Sequence, residues 1–162
     1  MAISEMDELR IRPAAAADSE QVAAMIAEVF RVYNAKSMQP EGRAEFLEFI
    51  RPENINMRLA AGACMLVADV EGSIAGVIEV RIYSHIALLF TARHYQRRGV
   101  ATALLQAAVA CCQEKRPQLR GITVNSSEYA VPVYENLGFI ILNKEQVKHG
   151  VRYTPMVLPL SY

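Results

Sequence analysis

The sequence predicts an α/β (α+β) fold, with a mixed central sheet of about six to seven strands flanked by about four helices in one domain spanning 1–162. Three observations carry this expectation. Hydrophobic spacing switches repeatedly between a period of two and a period near 3.6, giving the element order β, α, α, β, β, β, α, β, α, β, β. That order mixes hairpins with βαβ crossovers around one sheet. One run, His85 to Thr91, is almost wholly apolar, as a central strand covered on both faces would be.

Each element follows from local chemistry. Leu9 to Arg12 alternates apolar and charged residues and is closed by Pro13. A helix capped by Asp18 or Ser19 runs to about Tyr33, with Val22, Met25, Ile26, Val29 and Phe30 on one face. Asn34 to Gly42 reads as a loop, and a second helical segment from Arg43 through Ile50 is interrupted by Pro52 and resumes to Ala61. Cys64 to Val70 and Ile74 to Tyr83 form a hairpin about Glu71-Gly72-Ser73, placing Ile74, Gly76, Ile78, Val80 and Ile82 on one face. After the 85–91 strand, a loop to Arg98 enters a helix from about Gly99 to Arg116, stopped by Pro117. Leu119 to Ser126 is a strand and Glu128 to Leu137 a helix ended by Gly138. Phe139 to Val147 and Val151 to Leu158 form a last hairpin about His149-Gly150.

Composition narrows the function. The 162 residues are 52% hydrophobic, too apolar for a disordered chain, and 17 basic side chains balance 17 acidic ones, which favours neither a nucleic-acid nor a membrane-surface binder. The balance is uneven along the chain: residues 1–81 hold 8 basic and 13 acidic groups, residues 82–162 hold 9 and 4. The basic excess gathers at Arg93, His94, Arg97 and Arg98 and at Lys115, Arg116 and Arg120. Cys64, Cys111 and Cys112 are an odd count without a CxxC pair, so they read as small buried apolar side chains rather than a disulfide framework or metal set. The acidic start, MAISEMDELR, lacks the pattern of a signal peptide, and the most apolar stretch, Val100 to Cys112, is too short to span a bilayer. A cytoplasmic protein is the expectation.

The segment from His85 to Thr102 carries the most chemistry. A buried strand leads to a loop with three Arg, one His and no acid, then to a helix opened by the small residues Gly99 and Ala101. The first amides of a helix have no intrahelical partner, so this arrangement suits an anion such as a diphosphate, or it is a solvated basic loop capping a helix. Gln96-Arg97-Arg98-Gly99-Val100-Ala101 resembles the Q/R-x-x-G-x-G/A signature of the GCN5-related N-acetyltransferases. A second block, Ile122 to Ser126 followed by Ala130-Val-Pro-Val-Tyr134-Glu-Asn-Leu-Gly138-Phe139, is similar to a later strand and helix of that family, and Gly150 to Met156 resembles its last hairpin. Two positions depart from the pattern: Arg97 stands where Gly is frequent, and Ala101 replaces the last Gly.

The resemblance implies an enzyme that moves an acetyl group from acetyl-CoA to a primary amine by direct attack in a ternary complex, with no metal. Leu89, Phe90 and Thr91 would pair with pantetheine. Gln96, Arg97, Arg98, Gly99, Val100, Ala101 and Thr102 would hold the pyrophosphate. Tyr134 would protonate the departing thiolate, or else is a core aromatic at helical spacing. Asn125 would orient pantetheine or substrate, or cap its strand. Glu79 and His85 are the candidate bases; each also reads as a structurally satisfied residue. The acidic excess at Glu41, Glu45, Glu48 and Glu53 suggests a cationic amine as acceptor, and the apolar last hairpin offers a surface for a homodimer. The alternative is an acyl-CoA-sensing module on the same fold, without transfer chemistry.

Overall fold

A computed structural model describes residues 8–161. Residues 1–7, which hold most of the acidic start, lie outside the described residues. Strands are β1 (Leu9–Pro13), β2 (Cys64–Val70), β3 (Ser73–Arg81), β4 (His85–Thr91), β5 (Gly121–Ser126), β6 (Ile140–Ile141), β7 (Gln146–Lys148) and β8 (Val151–Pro159). The α-helices are α1 (Ser19–Tyr33), α2 (Pro40–Phe49), α3 (Pro52–Ala60), α4 (Val100–Lys115) and α5 (Val131–Asn136).

The mixed sheet is the expected one, with more pieces. Its order is β1-β2-β3-β4-β5-β8-β6, with β7 also paired to β8. Eight strands replace six to seven because the first arm of the last hairpin breaks: β6 and β7 both lie antiparallel to β8, and 143–145 bends away between them, after a last bond from the Leu142 amide to the Pro155 carbonyl. Five helices replace four because the segment after Tyr33 holds two prolines, each at the first turn of its own helix, where its missing N–H costs nothing. Pro40 therefore starts α2 inside the stretch expected to be loop. The helix after β5 is also shorter than expected, confined to Val131–Asn136.

Two layers of helix cover the sheet. On one side α4 packs Val100, Leu104, Leu105, Ala108 and Cys112 against Ile78, Val80, Ile86, Ile122 and Val124. On the other, Val22, Ile26 and Val29 of α1, with Ile50 and Ile55, pack against Met65, Val67, Val77 and Leu88. Gly76, Ile78 and Val80 keep the alternation expected of β3, but Ile74 joins the opposite face because the register between β2 and β3 shifts at Ala68 and Asp69. The strand also stops at Arg81: Ile82 and Tyr83, expected to extend it, take positive φ angles of 47° and 56° in the turn to β4.

Buried charge ties the layers together. Glu79 is 1% exposed, and both of its oxygens accept from Arg58 of α3, at 2.8 and 3.1 Å. Arg58 also donates to the Phe49 carbonyl and lies over the Phe49 ring, 3.8 Å from its centroid. At the sheet edge Arg12 pairs with Asp18 and Asp69, which holds both carboxyls below their usual range.

The cysteines are buried or partly so, and closer together than their sequence positions suggest. Cys64 of β2 lies 3.5 Å from Cys111 of α4, sulfur to sulfur, with all three thiols free. Along the last hairpin Ile140, Ile141, Leu142 and Val147 are exposed. No helix among the described residues is long and apolar enough to cross a membrane.

Candidate functional site

The sheet opens at its centre. β4 and β5 are parallel and pair at only two positions, His85 with Thr123 and Ile86 with Val124. Beyond them the strands part, and a cleft of about 670 Å³ fills the gap. This explains a departure from expectation: β4 is not covered on both faces, since Ala87, Leu89, Phe90 and Thr91 are only partly buried and line the cleft.

Hydrogen-bond parity shows which main-chain groups face the opening. The Ala92 amide donates to the Ala75 carbonyl at 2.8 Å. In an antiparallel ladder such pairs recur at every second residue, so Phe90 exchanges bonds with Val77, and Leu88 with Glu79. The polar groups of Leu89 and Thr91 point the other way, toward the cleft. Of the three residues expected to present free backbone, Phe90 therefore contributes only its side chain. The Thr91 carbonyl also accepts from the Gln96 side-chain amide at 3.2 Å, and the Tyr33 hydroxyl donates to the Gln96 amide oxygen at 3.4 Å. Gln96 thus braces the loop against β4 and α1.

At the end of β4 the chain turns into α4 through two left-handed residues, Arg97 at φ 62° and Gly99 at φ 82°. Glycine takes that conformation without cost, whereas arginine does not, so the departure at Arg97 is a strained one. Gly99 caps α4, and the amide of Ala103 is the first to bond back, to the Gly99 carbonyl at 3.0 Å. The amides of Val100, Ala101 and Thr102 have no intrahelical partner. No acid lies in that first turn, and all three residues border the cleft with Gln96, Arg97 and Gly99. Arg98 does not: its guanidinium carbon lies 6.0 Å from the centre of the Tyr95 ring, outside the lining. Lys115, Arg116 and Arg120 sit at the opposite end of α4, roughly 24 Å along a 16-residue helix, so only part of the basic excess faces this end of the cleft.

The far wall carries Asn125, Ser126, Ser127, Tyr129 and Tyr134. Tyr134 packs edge-on against Phe139, with ring centres 5.1 Å apart, and burial pushes its phenol well above the ordinary range. A neutral hydroxyl at all ordinary pH values follows. Asn34, at the end of α1, donates to the Ser127 hydroxyl at 3.0 Å, and the Tyr33 and Tyr129 rings stack at 4.7 Å. These contacts bridge the cleft from α1 to the loop after β5.

The two candidate bases lie elsewhere. Neither Glu79 nor His85 lines the cleft. Glu79 is held by Arg58 on the α1 to α3 side of the sheet. His85 sits at the closed end, where β4 and β5 still pair. Its Nδ1 is 2.7 Å from the Thr123 hydroxyl, which donates onward to the Ser84 carbonyl at 3.4 Å. Half-burial, with help from Arg81, lowers the imidazole's pKa, so it is neutral at pH 7.

Glu41, Glu45, Glu48 and Glu53 do not line the cleft either. All four are exposed, and Arg51 lies 3.3 Å from both Glu48 and Glu53. The charged residues that do line it, among those described, are Arg97 and Arg152. Arg152, Tyr153 and Asn34 also line it, and they fall in the segments 33–42 and 144–153, which the family resemblance implies wall the acceptor side together with 43–58. Which residues of those segments reach the cleft is decided by the closure of the fold.

Comparison with known proteins agrees with this geometry. Residues 34–160 match the model of the acetyltransferase (GNAT) domain family. No curated protein matches the sequence. Among solved structures, a GCN5-related N-acetyltransferase from Rhodopseudomonas palustris superposes with a TM-score of 0.78 at 21% identity, covering 93% of this chain and 95% of its own. PaiA N-acetyltransferase from Thermoplasma acidophilum, solved in complex with coenzyme A, gives 0.77 at 17% identity over 94% and 99%. A ribosomal-protein-alanine N-acetyltransferase from Brucella melitensis gives 0.65 at 20% identity over 93% and 99%. With a family model that matches residues 34–160, most of its length, this chain belongs to the GNAT acetyltransferase family.

Proposed function

We propose that the protein is an N-acetyltransferase that moves the acetyl group of acetyl-CoA to a primary amine by direct attack within a ternary complex. The observation that carries this reading is the gap between β4 and β5, which turns the main-chain groups of Leu89 and Thr91 toward a cleft ending at the unpartnered amides of α4. An extended chain of amides such as pantetheine fits the open strand edge. A diphosphate fits the α4 N-terminus beside Arg97. Family membership and a CoA-bound structural neighbour support the same ligand.

Acetyl-CoA supplies an activated thioester, and the chain supplies placement and proton control. Holding the amine and thioester together removes much of the entropic barrier. A main-chain N–H from the free edge of β4, donated to the thioester carbonyl oxygen, stabilises charge that grows there as the C–N bond forms. The C–S bond then breaks, and the electron pair leaves on sulfur. Tyr134, kept neutral by burial, donates its proton toward that sulfur. In water this transfer is uphill by roughly 2 kcal/mol, given reference values near 10 for a phenol and 8.5 for a thiol. Burial raises the Tyr134 phenol further, and a thiolate leaving into the same desolvated cleft is likewise a stronger base, so the two shifts act against each other. Asn125, on the opposite wall, is within the lining to orient the reacting groups.

The test measures CoA-thiol release from acetyl-CoA across amino acids, polyamines, aminoglycosides and peptides, beside calorimetry of acetyl-CoA binding. Tyr134→Phe should lower kcat by at least tenfold and leave acetyl-CoA affinity within twofold. Binding with no thiol release from any amine would instead establish an acyl-CoA-sensing module.

A further inference from the structure

The acceptor half of the cleft has a wall of its own. The β7 to β8 hairpin folds over the start of α2: the Gln39 amide donates to the Gly150 carbonyl at 3.2 Å. At Gly42 an added Cβ would come 2.8 Å from the Val151 side chain and 3.3 Å from the Gly150 carbonyl oxygen. The closeness of this seam sets Val151, Arg152 and Tyr153 along the cleft, in the same lining as Asn34 and Met38. Tyr153 is already engaged, its hydroxyl donating to Gln146 at 3.1 Å. Arg152 is held only loosely: its ion partner, Glu145, is 3.8 Å away, beyond hydrogen-bond distance, and its side chain is 62% exposed, so the guanidinium can exchange that partner for a ligand at little cost.

Charge in the cleft is all of one sign. Arg97 comes from the loop before α4 and Arg152 from the β7 to β8 hairpin, and no carboxylate among the described residues lines the cleft with them. A polyamine or aminoglycoside would meet no counter-ion there. We propose that Arg152 determines acceptor specificity and that the acceptor is a small amine carrying a carboxylate, which the Arg152 guanidinium pairs. This rests on the acetyl-transfer reading above.

The same charge bears on how the amine loses its proton. An alkyl amine near pKa 10.4 is neutral in only about one molecule in 2,500 at pH 7, and no carboxylate or imidazole among the described residues lines the cleft to help it. An α-amino group near 8 is neutral in about one molecule in ten. In a free amino acid the neighbouring carboxylate favours the ammonium; pairing that carboxylate with Arg152 removes the bias, and like charge in the cleft pushes the same way. Attack by the neutral amine forms the C–N bond, the C–S bond breaks as Tyr134 protonates the departing sulfur, and the surplus ammonium proton passes to water, from which Tyr134 regains its own.

The experiment compares kcat/KM for amino acids, their carboxamides and the corresponding decarboxylated amines, with the intact protein and with Arg152→Gln and Arg152→Lys. The acids should exceed their amides by at least tenfold. Arg152→Gln should erase that preference through acceptor KM, with acetyl-CoA KM unchanged, and Arg152→Lys should retain part of it. Equal use of acid and amide, a preference for diamines, or a preference unmoved by Arg152→Gln would overturn the inference while leaving acetyl transfer intact. No thiol release from any amine would overturn both.

Discussion

Replacing Arg97 by glycine separates two quantities that this position sets against each other. Its φ of 62° costs an L-residue about 1–2 kcal/mol, while glycine at the same place loses about 0.5–1 kcal/mol more chain entropy on folding. The balance favours glycine by roughly 0.5–1 kcal/mol, or about 1–4 °C in Tm for a chain of this length. The guanidinium lines the cleft but is solvent-exposed, so its contact with a diphosphate is worth about 1 kcal/mol, near the low end for a charged hydrogen bond, and its loss weakens CoA binding about fivefold. Thermal melts and calorimetry with CoA at two ionic strengths read the two effects separately. Arg97→Gly should be more stable yet bind more weakly, and the binding gap should shrink as salt rises. Arg97→Ala should show the same loss of affinity without the gain in stability. If Arg97→Gly binds CoA like the parent at low salt, or melts lower, the assignment of this side chain to the phosphates and the strain argument both fail.

Three further outcomes follow from the packing. Gly76→Ala should destabilise by about 1–3 kcal/mol in urea unfolding, because the new Cβ would lie 2.9 Å from both Leu104 and Val100 of α4. Arg58→Leu should cost about 3–5 kcal/mol by leaving the Glu79 carboxylate buried without its partner, and adding Glu79→Leu should recover most of it. Arg12→Met should flatten the acid limb of the stability curve. Arg12 depresses both Asp18 and Asp69, so their contribution is present above the usual 3.8 and lost as pH falls through their folded values; urea midpoints between about pH 5 and 2 should fall less steeply in the variant.

What was legible in the sequence was whatever depends on neighbours along the chain. The period-two and 3.6 patterns located the long elements, Pro13 and Gly138 marked boundaries, and the run from Gln96 to Thr102 located the loop and helix start correctly, since a helix N-terminus is a local object. The parting of β4 from β5 was not legible. An apolar strand reads the same whether a neighbour or a ligand covers it, so 85–91 looked like a fully buried strand. Hydrogen-bond parity was equally hidden, since it depends on register with β3, and this is why Phe90 was grouped with Leu89 and Thr91. Glu79 drew attention as a carboxylate amid apolar residues, a pattern shared by catalytic acids and buried ion pairs. Arg58, 21 residues earlier, settles which geometry this is.

Charge shows the same limit most clearly. The acidic excess of the first 81 residues suggested a cationic substrate, but much of it is spent on arginines that brace the fold. Asp18 and Asp69 hold Arg12, Glu48 and Glu53 flank Arg51, and Glu79 holds Arg58. Arg93 with Glu28 and Arg152 with Glu145 are looser, exposed pairs, each 3.8 Å apart. A field at a site is set by the charges that line it and remain unpaired there, and a sum along the chain weights paired and unpaired groups alike. Once the close pairs are removed, Arg97 and the loosely paired Arg152 are the charged residues, among those described, that line the cleft. The cleft then favours anionic groups, and a neutral amine is the form of acceptor nitrogen that costs least to bring into it.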